Sequence, residues 1–106
     1  MSNTLERVLR LIQDGKVKVS EHGYEEIADE GILMRDLIAH LPEAVEVEHY
    51  PDYAKGPCVL VLQKDLQGKP LHVVWGIPKG ASSPAVMVTA YRPDPDRWTG
   101  DLMGRK

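Results

Sequence analysis

Cys58-Val59-Leu60-Val61-Leu62-Gln63-Lys64 is a continuous apolar run that ends on polar residues, and Asp65-Leu66-Gln67-Gly68-Lys69 follows it. The run has strand length, and a five-residue connection with a glycine suited to positive φ reads as a hairpin. Leu71 to Ile77 is then the returning strand. Upstream, Ala44-Val45-Glu46-Val47-Glu48 alternates as a strand with one wet face, and downstream Ala85 to Arg92 forms the last strand. Tyr50–Pro57 and Pro78–Pro84 read as loops, and the prolines of Pro93-Asp94-Pro95 stop the ladder.

The period before residue 42 is helical. Leu5, Val8, Leu9 and Ile12 line one face of a segment from Thr4 to Gln13, with Asn3 as expected N-cap, Glu6 three residues on and Gly15 as stop. Ser20 caps a second helix, Glu21 to Glu30, and a third runs from Leu33 to Leu41 until Pro42 closes it. Val17-Lys18-Val19 is a short strand or an extended linker. The expected fold is α+β, with two to three N-terminal helices packed on a four-stranded antiparallel sheet.

The 106 residues form one domain, 1–106, with 93–106 as a tail. No stretch reaches the roughly 20 apolar residues of a membrane span, and the start of the chain lacks a signal-peptide pattern, so the expected compartment is the cytosol with no membrane partner. Cys58 is the only cysteine and reads as a buried hydrophobe. The net charge of −3 divides unevenly, as −7 over residues 1–54 and +4 over residues 55–106. An acidic helical half beside a basic strand half allows one positive face toward phosphates, or simply two solvated surfaces.

The four histidines, His22, His40, His49 and His72, have no zinc-motif spacing, so no metal is expected. His22 falls in the first turn of a helix, where backbone N–H groups disfavour the imidazolium; it is a neutral general base or a capping histidine. His72 alternates with Leu71 and Val73, so it is hydrogen-bonded in a core or set in a cleft. Tyr91 can donate a proton, and Arg92 can hold a phosphate with two parallel bonds, or pair with Asp94 or Asp96. Trp98 either latches back onto the sheet or stacks a base.

Ser20-Glu21-His22-Gly23 with Glu25, Ile27, Asp29 and Gly31-Ile32 resembles the opening motif of a bacterial family catalogued as domain of unknown function 4258. Pro70-Leu71-His72-Val73-Val74, Val88-Thr89-Ala90-Tyr91-Arg92-Pro93 and Trp98 resemble its strand motifs, and the likeness spans about residues 16–100. That family is similar to the RelE- and BrnT-type toxins of toxin–antitoxin systems. The resemblance implies a RelE/BrnT-like ribonuclease-toxin fold and metal-independent RNA cleavage without a cofactor. His22, His72, Tyr91 and Arg92 would be catalytic, and Lys64, Lys79, Arg97 and Trp98 would bind substrate. It implies RNA or the ribosome, and an antitoxin-like protein, as partners. Glu26 and Glu30 stand where family members often carry arginine, and two carboxylates there would repel a phosphate. The competing expectation is a protein-interaction module with no chemistry.

Overall fold

A computed structural model describes residues 2–106. Helix α1 spans Asn3–Gln13, strand β1 Val17–Val19, α2 Glu21–Asp29 and α3 Met34–His40, followed by a 3-10 turn at Leu41–Glu43. Strands β2 Val45–Tyr50, β3 Cys58–Lys64, β4 Pro70–Gly76 and β5 Ala85–Tyr91 complete the chain's regular elements. The helices begin where capping chemistry allows. Ser2, rather than Asn3, caps α1 by accepting from the Leu5 N–H at 3.1 Å, and Ser20 caps α2 by accepting from the Gly23 N–H at 2.9 Å. Pro42 sits in the 3-10 turn, where its missing N–H costs nothing.

The sheet is five-stranded and mixed, in the order β1-β5-β4-β3-β2, which corrects the expected four-stranded antiparallel sheet. The three neighbouring pairs from β2 to β5 are antiparallel, as short connections require. The added strand is Val17-Lys18-Val19, which pairs in parallel with Ala85-Val86-Met87. The alternation left a short strand open, but its register joins residues some seventy positions apart, so nothing local showed its partner or its parallel direction.

Alternation gives the sheet two faces. Val59 and Val61 of β3 point inward with Leu71, Val73 and Trp75 of β4 and Met87 and Ala90 of β5. Leu5 and Val8 of α1, Ile27 of α2, and Leu37 and Leu41 close this layer from above. A bulge at Val88 shifts the register of β5 against β4, so Met87 and Ala90 both face inward although three positions apart. Gly23 lets α2 lie close on β5, because a Cβ there would come within 2.9 Å of the Met87 side chain and 3.0 Å of its carbonyl. Gln63, buried among the inward residues, donates to the Leu37 carbonyl at 3.0 Å and ties α3 to the sheet.

Leu71 is fully buried in this layer. Leu71→Ala should lower the unfolding free energy by about 3 kcal/mol, read as a reduced urea midpoint with an unchanged slope.

Candidate functional site

The outer sheet face carries the side chains that alternate with the core: Glu48 and Tyr50 on β2, Cys58 and Leu60 on β3, His72 and Val74 on β4, and Thr89 and Tyr91 on β5. Among the described residues, no helix covers this face. Its half toward the β4 N-terminus is covered by the tail, in which Trp98 and Arg105 form an isolated bridge. Trp98 is 5 % exposed and its ring meets His72 edge-on at 4.3 Å between centroids. The latch reading of Trp98 describes its position, and no face of the indole is open for a base to stack on.

His72 is fully buried beneath this latch. Its Nε2 lies 2.9 Å from the Leu102 carbonyl, and its Nδ1 lies 3.2 Å from the Tyr91 hydroxyl. A carbonyl only accepts, so Nε2 carries the proton and Nδ1 accepts from Tyr91. Both ring nitrogens are therefore occupied in the neutral tautomer. Burial pushes His72 below its ordinary value of 6.5, against the Leu102 bond, which favours the charged form. Burial likewise raises Tyr91 above its ordinary value.

Around this pair lies a network that sequence reasoning missed. Tyr50 donates its hydroxyl to Glu48, Arg105 Nε donates to the same carboxylate at 2.9 Å, and the Arg105 guanidinium stands 4.7 Å over the Trp98 ring. The Tyr50 bond leads in holding Glu48 below the usual carboxylate range. Arg105 and Glu48 are 57 residues apart, and neither lies in a motif. The only signal was that Glu48 and Tyr50 share one side of an alternating strand.

The other expected catalytic groups lie apart from His72. His22 is 70 % exposed and its Nε2 sits 3.3 Å from Glu26 Oε1. Arg92 is held by Asp65 at 2.9 Å and Glu30 at 3.5 Å. Asp65 is itself held below its ordinary value, first by the Lys69 N–H and then by Arg92. Lys64 and Lys79 are exposed at opposite ends of the β3–β4 ladder, about 20 Å apart at strand rise. Arg97 is exposed and only loosely opposite Asp94, at 3.9 Å. The structure thus brings His72, Tyr91 and Trp98 together, and leaves His22, Arg92, Lys64, Lys79 and Arg97 outside that cluster.

Glu26 and Glu30 are both engaged within the fold. Strand β1 ends at Val19, so β5 has an open edge beyond Met87. Ser20 donates its hydroxyl to the Val88 carbonyl at 2.7 Å, and Glu26 accepts from the Ala90 N–H at 3.0 Å and from the Thr89 hydroxyl. Side chains of α2 thus take over the ladder bonds that a longer β1 would make. An arginine at position 26 could not accept from an N–H.

The open half of the outer face, toward the β4 C-terminus, is a cleft of about 510 Å³. Val74, Val86 and Val88 form its floor with Cys58, and Tyr50, Tyr53 and Lys55 stand at its wall. The wall is fixed by backbone bonds from Ile77 N–H to Pro57 and from Lys79 N–H to Lys55. Gly56 makes that closeness possible at φ +124°, since a Cβ would fall 2.1 Å from the Ile77 carbonyl oxygen. Burial raises the Cys58 thiol above its ordinary value, which suits a packing role. Among the described residues, no group of three or more His, Cys, Asp or Glu side chains is placed to hold a metal ion. Among the described residues, no helix is long and apolar enough to cross a membrane.

The model of the family described as Domain of unknown function (DUF4258) matches residues 19–92. The chain belongs to that family. The matched span runs from the α2 cap through β5, so the α2–β5 seam and the His72–Tyr91 pair fall within it, and the tail with Trp98 and Arg105 falls outside. No curated protein and no solved structure matches the chain.

Two outcomes follow from these contacts. Unfolded, His72 titrates near 6.5, and folded it titrates lower. As pH falls below about 6.5, the unfolded chain takes up a proton that the folded chain resists, so stability should drop with acidity. Glu48, folded below its ordinary 4.5, adds a second loss at lower pH. Urea midpoints measured between about pH 7.5 and 5.5 should show the first step, and His72→Gln should flatten it. Glu26→Ala leaves the Ala90 N–H and Thr89 hydroxyl without their acceptor and should cost about 1–3 kcal/mol, with faster amide exchange at Ala90.

Proposed function

We propose that the chain is a non-catalytic relative of the RelE- and BrnT-type toxins, acting in the cytosol as a protein-interaction module. One observation carries the reading: His72, the imidazole beside Tyr91, is fully buried with both ring nitrogens bonded. A general base must reach the proton it removes, and this one reaches only protein. Arg92, the expected phosphate holder, is spent on two carboxylates. The helical side adds Glu21, Glu25 and Asp29 as exposed acids on α2, which favours a basic protein surface, such as that of an antitoxin-like partner, over RNA.

A second reading is a metal-independent endoribonuclease with the tail displaced. It is favoured by the convergence of Glu48, His72, Tyr91 and Arg105 on one face, an acid–base set with a cation. There, His72 would take the 2′-hydroxyl proton, Tyr91 would protonate the leaving oxygen, and a 2′,3′-cyclic phosphate would result.

Purified protein incubated with total RNA, and separately with translating ribosomes, decides between them. The module reading expects intact RNA from the wild type and from Trp98→Ala, which loosens the latch. It also expects harmless induced expression and a retained protein partner in pull-down with light scattering. Cleavage by either protein that is lost in Tyr91→Phe, with the fold checked by circular dichroism, would overturn it.

A further inference from the structure

The cleft on the open half of the outer face belongs to neither reading, and its chemistry is specific. Its floor of Val74, Val86 and Val88 is apolar, and Val88 stays partly exposed at 36 %. A volume of about 510 Å³ lies within the range that holds small molecules. The polar groups on its walls are arranged unevenly. Ser20, Tyr50 and Thr89 send their hydroxyl protons into the protein, to the Val88 carbonyl, Glu48 and Glu26. That leaves Lys55 and the Tyr53 hydroxyl as the strong side-chain donors at the rim, two residues apart on one loop. Among the described residues, Lys55 is the only charged residue in the lining, and no carboxylate joins it. It makes no ion pair among the described residues. The loop that carries both donors is pinned by the Pro57–Ile77 and Lys55–Lys79 backbone bonds, so the cleft is formed before any ligand arrives.

We infer that this cleft binds apolar monocarboxylates: an aliphatic or aryl body on the valine floor, with its single carboxylate held by the Lys55 ammonium and the Tyr53 hydroxyl. An apolar body alone would leave the lysine unused. A polyanion would place further charge against valines, where nothing offsets its desolvation. The site adjoins the latch network through Tyr50, whose hydroxyl is spent on Glu48, but its ligand-holding groups, Lys55 and Tyr53, take no part in the latch and need no protein partner, so it stands or falls independently of the proposed function.

The test uses the full chain, with octanoate as probe and 1-octanol as its uncharged counterpart, followed by amide chemical shifts. Octanoate should shift the amides of Lys55, Val74 and Val88 saturably and bind about tenfold more tightly than octanol. Lys55→Glu, at an exposed position, should remove that advantage and leave octanol binding unchanged. Val88→Trp, which fills the floor, should abolish both, with the unperturbed amides of α1 reporting an intact fold. Equal affinity for the two probes, an unchanged octanoate affinity in Lys55→Glu, shifts confined to other surfaces, or no saturable shift up to the solubility limit would each overturn the inference.

Discussion

Strands β3 and β4 are apolar on both faces, while the helices cover only one. Val59, Val61, Leu71, Val73 and Trp75 are buried under α1, α2 and α3. Leu60 and His72, on the opposite face of the same strands, are equally shut off from water. Burying apolar area drives folding, so a second cover is required, and the chain supplies it from its own C-terminal segment. Trp98 fills the role by shape, and the Leu102 carbonyl fills it by hydrogen bonding to the one polar group beneath.

That second cover explains why a histidine is tolerated at the middle of an apolar strand. A buried imidazole is costly unless both nitrogens find partners. Tyr91 on β5 lies directly opposite His72 on β4, and Leu102 comes down from the tail, so the pairing is complete only when strand register and tail position are both correct. His72 thus reports on the fold's completion. In this arrangement both ring nitrogens are engaged within the protein.

The seam between α2 and β5 follows the same economy of satisfied groups. A three-residue β1 leaves part of the β5 edge open, and exposed edges invite pairing with other chains. Ser20 and Glu26 close it with side chains, and Gly23 lets the helix come near enough for them to reach. The sequence Ser20-Glu21-His22-Gly23 with Glu26 is therefore a structural device at this edge. His22, the exposed member, is oriented by the carboxylate that performs the closure.

Much of this architecture was legible in the residues. Helical and alternating periods located three helices and four strands to within a residue or two, because amphipathic burial leaves its spacing in the chain. The Ser20 cap was also readable, since it depends on a local residue type, whereas Trp98 stood open between a latch and a stacking role until the tail's packing against His72 decided it. Four things were decided only by the tertiary structure. Val17–Val19 became a parallel strand, Glu48 and Arg105 met across 57 positions, Arg92 turned to Asp65 and Glu30, and His72 was sealed. Periodicity says which side of an element a residue takes; it does not say what the rest of the chain brings to that side. Covering, pairing and access are set by long-range packing, so the composition of the outer face could be anticipated from sequence, while its division into a closed half and an open cleft could not.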